Sequence, residues 1–481
     1  MTPQIHRISI ALLVLFGALF VNLNVLALIS GDDLANHPAN RRVIVREYAI
    51  ERGPLVVGEE AVALSTPTEG EFRYRREYPQ GPLYAHLTGY YSLVLQRSGL
   101  ERALNEELTG RPTEVIAQNL GELLGRSQRA GNAVELTIDP RVQQAAHDAL
   151  DGRTGAVVAI EPSTGAVLAS YANPTFDPDP LSSHDPRTIN EAWARLQDDP
   201  DRPLLDRATS ETYPPGSVFK ILVTAAALEA GMDPDSMFAD EAVYDVPQTT
   251  ADIRNFGGGV CADGNEISLA DAFRVSCNTV YAELGVQLGD EALRAQAERF
   301  GFNHQPPYEL SVATSVFPGD LDTPSLAQSA IGQRDVRATA MHFALIAAAV
   351  ANGGELTEAH VVDQVRDPDG QPIARAQPGR WRDPPGSGTA VSPRTAAQLR
   401  QMMLDTVRSG TGTAAAIDGV EVGGKTGTAQ DGETPTAWFV GFAGDDVAVA
   451  VVVPDAGAGA TGGGVAAPIA RAVLRAAVEG R

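Results

Sequence analysis

Residues 419–430, Gly419-Val-Glu-Val-Gly-Gly-Lys-Thr-Gly-Thr-Ala-Gln430, run on into DGETPTAWFVGFAGDDVAVAVVVPDAG (431–457), and two folds compete for this stretch. Its first eight residues formally match the phosphate-loop pattern G-x-x-x-x-G-K-[ST], which requires a strand before it and a helix after it. The surrounding residues do not supply that context. Val420 and Val422 alternate as in a strand, and Gly-Thr-Ala-Gln is followed by two more apolar runs, TAWFVGFAG and VAVAVVVPDAG. Apolar runs separated by Gly and Asp predict three successive strands. Working outward, GAVVAIEPSTGAVLASYA (155–172) places two apolar runs around Glu161-Pro-Ser-Thr-Gly165, a hairpin signal.

Helical patterns surround these strands. VELTID (134–139) reads as a strand, and PRVQQAAHDAL (140–150) as a helix opened by Pro. VFKILVTAAALEAGM (218–232) reads as a helix, Ala-rich helical patterns recur around 285–300 and 336–352, and VAAPIARAVLRAAVEG (465–480) closes the chain. Residues 178–216, rich in Asp, Pro and Ser, predict loop with short helices. Helices mixed with an antiparallel sheet make 136–481 an α+β domain. Residues 29–135 read as a smaller separate module. In it REYAIERGPLVVG (46–58) suggests strands, and GLERALNEELTG (99–110) a helix ending at Gly. No internal repeat is evident.

Ile8 to Leu28 is a 21-residue stretch without a charge, long enough to span a bilayer as a helix. A cleavable signal peptide usually has a shorter apolar region and a small-x-small site. The stretch therefore reads as an uncleaved anchor. Arg7 precedes it and Asp32 and Asp33 follow it, which places residues 1–7 in the cytoplasm and the bulk outside. Arg41 and Arg42 reduce that asymmetry. Outside the cell a nucleotide is not on hand, a second reason against the phosphate loop.

The 481 residues suffice for two or three domains, and the 43% hydrophobic fraction predicts packed cores. A net charge of −24 argues against a nucleic-acid partner. The two cysteines, Cys261 and Cys277, form no C-x-x-C pair, and the eight His are scattered, so no metal site is expected.

Of the 37 basic residues, two are Lys, Lys220 and Lys425, and the rest are Arg. Lys220 lies in Ser217-Val-Phe-Lys220, directly after Tyr213-Pro-Pro-Gly216. The prolines cannot continue a helix backwards, so a helix should begin near Ser217 and carry Lys220 one turn above the hydroxyl. A serine is a poor nucleophile until a neighbour takes its proton. A desolvated lysine can do so, whereas an arginine cannot. Taken alone, S-x-x-K is so short that an N-cap serine and a surface lysine would be the better reading. The scarcity of lysine tips the balance, because a lysine kept for charge alone would be Arg in this chain.

Ser276-Cys277-Asn278, the one S-x-N in the sequence, sits in a helical pattern running through Phe273, Val280 and Leu284. The serine can relay a proton and the amide can hold a substrate amide, although Ser and Asn are also common turn residues. Lys425-Thr426-Gly427-Thr428 falls on an expected strand that could pair with an extended peptide. Gly427 would let that peptide come close. The N–H groups of Ser217 and Thr428 could form an oxyanion hole. No G-x-S-x-G elbow is present, so an esterase triad has no home.

In chain order, S-x-x-K, S-x-N (59 residues after Ser217) and K-T-G (208 after it) resemble the set of the penicillin-recognising serine acyltransferases. YPPGSVFK, FRVSCNTVYAELG, GGKTGTAQ and AWFVGFA resemble that family's usual surroundings. ERG and YPQGPLYAHLTGYYS…GLERALNEEL resemble the pedestal of class B penicillin-binding proteins, closest to the single-anchor type of high-GC Gram-positive bacteria. The resemblance implies a peptidoglycan D,D-transpeptidase with no cofactor. Ser217 would attack a terminal D-Ala-D-Ala, with Lys220 as general base and Ser276 and Asn278 relaying protons and holding substrate. Lys425, Thr426, Gly427 and Thr428 would bind the terminal carboxylate and shape the oxyanion site. An amine of a second stem peptide would take the acyl group, β-lactams would acylate Ser217, and a membrane glycan polymerase would be the partner. About 105 residues separate the anchor from the catalytic domain, near the lower limit for a domain, which favours class B over glycosyltransferase-bearing class A. Cys261 and Cys277 read either as a disulfide or as two buried thiols, and an exported setting favours the bridge. The rival functions are a β-lactamase, a D,D-carboxypeptidase and a non-catalytic β-lactam sensor or division scaffold.

Overall fold

The computed structural model describes residues 3–28, 41–110, 130–430, 432 and 434–480. Asp32 and Asp33, used above to orient the anchor, and residues 111–129 of the smaller module lie outside that set.

The stretch quoted first is sheet. Val422–Gln430, Pro435–Ala443 and Val447–Val453 are consecutive antiparallel strands, and Gly155–Ile160 and Val167–Asn173 extend them to a five-stranded antiparallel sheet. Lys425 is opposite Val440, and Thr428 opposite Ala437. Pro435–Ala443 and Val447–Val453 are buried on both faces almost throughout. That is why they read as continuous apolar runs rather than alternating ones. Helix Ala340–Ala351 covers one face. Helices Pro140–Leu150 and Ala466–Val478 cover the other. Alternate residues divide between the two cores, Val158 and Val452 on one side and Val157 and Val451 on the other. The helix at 140 begins where Pro at its first turn and an Asp139 cap, accepting from the N–H groups of Arg141 and Val142, dictate.

Three local expectations need correction. The stretch from Arg46 to Ile50 is not strand: Arg41–Glu47 is helical and the chain turns before the short strand Leu55–Val57. The alternation there reflects burial of Tyr48 and Ile50 as the chain turns. Tyr48 stacks on Tyr91, with ring centroids 4.8 Å apart. Within 178–216, Pro186–Asp198 forms a 13-residue helix capped by Asp185, longer than the short helices expected there. The helix expected from Val218 is preceded by a 3₁₀ turn, Gly216–Phe219, and becomes α-helical at Lys220–Glu229.

A second sheet joins the N-terminal module to the rest. Its strand order is Pro372–Arg375, Val362–Arg366, Ala133–Leu136, Leu55–Val57, Glu60–Pro67, Tyr74–Glu77. The border drawn from the sequence at 135/136 thus falls inside a strand, and two strands come from far along the chain. The segment Pro3–Leu28 is one helix, long and apolar enough to cross a membrane, and among the described residues nothing buries its 5–22 portion.

The module is held by a buried charge cluster. Glu101, fully buried, accepts from Arg52 Nη2 at 2.8 Å and from Arg76 Nε at 2.5 Å. Arg52 also donates to Asn105 Oδ1, and Arg76 to the carbonyl of Gly53. Burial pushes the Glu101 carboxyl up, but the two guanidiniums outweigh it and hold the group below its usual range. Removing one partner of a buried ion pair costs about 3–5 kcal/mol, because it strands the remaining charge. Glu101→Gln should therefore destabilise the module by roughly that amount, read as a lowered urea midpoint. An unchanged midpoint would mean the two arginines do not depend on the carboxylate.

Candidate active site

The turn before Ser217 can be made by glycine alone. Gly216 has φ +54°, and a Cβ there would stand 2.8 Å from the carbonyl oxygen of Thr428. Its N–H donates to the carbonyl of Gly332 (2.8 Å), and the preceding Pro214 carbonyl accepts from the buried Trp438 indole (3.0 Å). The chain is thereby pressed against the Lys425 strand just where the serine emerges. Ser217 is half-buried, its hydroxyl makes no hydrogen bond among the described residues, and it lines a cleft of about 560 Å³.

Lys220 is fully buried behind it. Its ammonium nitrogen donates to the Ser276 carbonyl (2.8 Å), Asn278 Oδ1 (2.8 Å) and the Cys277 carbonyl (3.2 Å), and lies 3.4 Å from Ser276 Oγ. Lys425, also fully buried, donates to Ser276 Oγ at 2.8 Å and to the Thr426 carbonyl at 3.1 Å. The hydroxyl of Ser276 thus stands between both lysines of the chain.

The continuous helix expected through Phe273, Val280 and Leu284 is broken at this point. Leu269–Val275 ends at Ser276, which is left-handed (φ +65°), and a second helix, Asn278–Arg299, begins two residues later. The break has a chemical use. It turns the carbonyls of Ser276 and Cys277 toward Lys220, and both accept from it.

Several supporting residues escaped the sequence reading. Asn255 Oδ1 accepts from the N–H groups of Asn278 (2.9 Å) and Thr279 (3.1 Å), capping the second helix from a distant loop. The Asp240 carboxylate accepts from the N–H groups of Cys261, Ala262 and Gly264. Cys261 and Cys277, which the sequence did single out, are joined in a disulfide with Cα atoms 5.8 Å apart. Thr411 and Thr426 share a 2.6 Å hydroxyl contact, and the N–H of Gly462 donates to Thr428 Oγ1 (3.2 Å). These partners lie far apart in sequence and carry no spacing signal, apart from the repeated Thr-Gly pairs at 411 and 461. Asp240, Cys261 and Cys277 also form a group close enough to hold a metal. Both sulfurs are in the bridge, and the carboxylate is occupied by three N–H groups, so the group does not fit an ion.

Burial pushes Lys220 well below the usual lysine range, and the neighbouring Lys425 pushes it further. Burial brings Lys425 down to about 7. The site therefore combines two buried lysines, both titrating below the usual range and both reaching the Ser276 hydroxyl, in the cleft that Ser217 lines. Such chemistry is that of a serine acyltransferase with a lysine base.

Comparison with known proteins places the chain. Residues 155–475 match the penicillin binding protein transpeptidase domain, and residues 52–134 match the penicillin binding protein A dimerisation domain. The chain belongs to the penicillin-binding protein transpeptidase family. Over its whole length it is 42% identical to the peptidoglycan D,D-transpeptidase PbpA of Mycolicibacterium smegmatis, covering 99% of that protein. The ceftriaxone acyl-enzyme complex of penicillin-binding protein A from Mycobacterium tuberculosis superposes with a TM-score of 0.85 at 40% identity, over 90% of this chain and all of that one. The D,D-transpeptidase domain from Eggerthella lenta gives 0.76 at 36% identity, over 89% of this chain and 98% of that one.

If Lys220 must be neutral to take a proton, acylation should quicken as pH rises through the acid limb. If Lys425 must stay charged, the rate should fall again above about 7, where Lys425 loses its proton. The two limbs belong to the coupled pair rather than to either lysine. A stopped-flow profile of β-lactam acylation against pH checks this, and a rate that is flat through neutrality would contradict it.

Proposed function

We propose that this chain is a peptidoglycan D,D-transpeptidase of class B that works through an acyl-enzyme on Ser217. The observation that carries the reading is Ser276 Oγ at 2.8 Å from Lys425 and 3.4 Å from Lys220, in the cleft that Ser217 lines. In the first step the hydroxyl proton of Ser217 passes to neutral Lys220 as Oγ attacks the carbonyl of the penultimate D-Ala. The N–H groups of Ser217 and Thr428 receive the developing oxyanion, an interaction whose loss typically costs about a hundredfold or more. Ser276, fed by the two lysines, protonates the departing D-Ala nitrogen. Asn278 holds the donor amide, while Lys425, Thr426 and Thr428 take its terminal carboxylate; Gly427 lets the strand pack close to the Pro215 carbonyl, from which a Cβ would stand 2.6 Å away. An amine of a second stem peptide then attacks the ester.

A β-lactamase needs a base that activates water. Among the described residues no Asp or Glu lines the cleft, which favours slow release and hence transfer to an amine. The same reading assigns 1–7 to the cytoplasm, 8–28 to the membrane, 29–135 to the pedestal and 136–481 to the extracytoplasmic catalytic domain. A membrane glycan polymerase is the partner that would supply strands.

Intact mass spectrometry after benzylpenicillin treatment tests the core of this reading. Wild type should carry one stable adduct, and Ser217→Ala none. No adduct on the wild type, with penicillin left intact, would sink the proposal. Penicillin consumed without an adduct would replace it with hydrolysis.

A further inference from the structure

A short hairpin holds the S-x-N turn from outside it. Val243–Asp245 and Asp252–Arg254 pair as antiparallel strands. Val246 and Ile253 pack with Ala282 and Ala327 in a small buried cluster, which seats the hairpin on the helix Asn278–Arg299. Burial of those side chains fixes the end of the hairpin, and with it Arg254 and Asn255, beside the first turn of that helix.

Asn278 is thereby held at both ends of its side chain and at its backbone. Its Nδ2 donates to the Arg254 carbonyl at 3.0 Å, while its Oδ1 accepts from Lys220 at 2.8 Å. Its N–H donates to Asn255 Oδ1 at 2.9 Å. The same oxygen accepts from the Thr279 N–H at 3.1 Å, and the Asn255 amide nitrogen donates to the carbonyls of Glu241 (2.9 Å) and Gly259 (3.1 Å). Asn255 is buried, and both ends of its amide are engaged. Such an amide acts as a rigid strut, because freeing either end strands a polar group away from water. What the strut holds is the turn that surrounds the Lys220 ammonium with acceptors, the carbonyls of Ser276 and Cys277 and the Asn278 oxygen.

We propose that Asn255 is a positioning residue for the general base: it holds the Ser276–Asn278 turn, and through it the acceptors around Lys220, where acylation of Ser217 requires them. Asn255 itself moves no proton, and the assignment rests on the Ser217 and Lys220 reading above. Among the described residues, the titratable groups set against Lys220 are Lys425, from the strand, and Tyr281, from the helix that Asn255 caps. On the hairpin, the Arg254 side chain pairs instead with Asp252. Acceptors around an ammonium favour its charged form. A loosened turn therefore lets Lys220 shed its proton at lower pH, but in a poorer position for reaction.

The test is the pH profile of benzylpenicillin acylation, measured on the full chain in detergent. Asn255→Leu keeps the side-chain size and removes the accepting oxygen. Its plateau rate should fall about a hundredfold, the scale of a small misplacement near reacting atoms. Its acid limb should move to lower pH by about one unit, the scale of one hydrogen bond to a charged group. Asn255→Asp keeps the oxygen and adds negative charge, so its acid limb should lie above that of the wild type. Both variants lose the amide N–H groups, and the difference between them isolates the oxygen. A residue that only supported the fold would lower the melting temperature and scale the rate equally at every pH. Acid limbs that coincide in all three proteins would overturn the proposal, as would a wild type that acylates without an acid limb. If Asn255→Leu does not fold, an Asn255→Asp limb at or below the wild-type position overturns it alone. A wild type that acylates at no pH would instead overturn the Ser217 reading.

Discussion

Lys220 and Lys425 reach the hydroxyl of Ser276 from two different elements, a helix and a sheet edge, and among the described residues no carboxylate is a hydrogen-bond partner of either. Removing an ammonium from water without a counter-charge costs several kcal/mol, unless the group loses its proton. Two such groups around one oxygen raise that cost, and the fold meets it with neutral acceptors. Lys220 receives two backbone carbonyls and an amide oxygen, and each lysine also faces an aromatic ring, Tyr281 at 5.1 Å and Phe273 at 5.5 Å. Both lysines titrate lower folded than unfolded. The unfolded chain therefore binds more protons between the folded and unfolded values, and across that window the stability they contribute rises with pH. Below it the deficit is complete, and a poised base is what that deficit secures.

The surrounding architecture follows from keeping these groups dry and aligned. The carbonyls that hold Lys220 face it because the chain breaks its helix at a left-handed serine. That break needs support from outside the helix, and Asn255 and the Cys261–Cys277 bridge supply it. Lys425 is placed by the antiparallel register with Pro435–Ala443, whose buried side chains fix the strand. Ser217 is placed by Gly216, whose carbonyl and N–H face Gly332 and whose Cα lies against the Thr428 carbonyl. Three segments far apart in sequence are thus brought together by one sheet edge and one helix break.

What the sequence made legible matches what is local. The strands at 155–172 and 422–453 and the helices at 140–150 and 466–478 announce themselves by apolar runs, Pro and caps. The motifs were legible because a chain rich in Arg retains Lys at just two positions. The S-x-N break was not, since Phe273, Val280 and Leu284 keep helical spacing across it and only the backbone of Ser276 departs. Asn255 and Asp240 were not either, because a long-range cap has no periodicity. The six-stranded sheet could not be drawn from local pattern, because its Val362–Arg366 strand pairs with Ala133–Leu136 across more than two hundred residues.

The choice of lysine at 220 and 425 brings the levels together. An arginine at either position would remain charged at any pH the protein meets, and its planar fork would ask for several acceptors in one plane. Around Lys220 the acceptors converge from the turn at 276–278 on a single point, which suits a compact ammonium and not a guanidinium. Around Glu101 the opposite holds. There two arginines spread across a carboxylate and several backbone or side-chain oxygens, and a permanent charge is what the buried acid requires. The chain thus places guanidinium where a buried charge must be fixed, and ammonium where a proton must move. With a single cation type at both places, it would have either a module without its ion pair or a serine without its base.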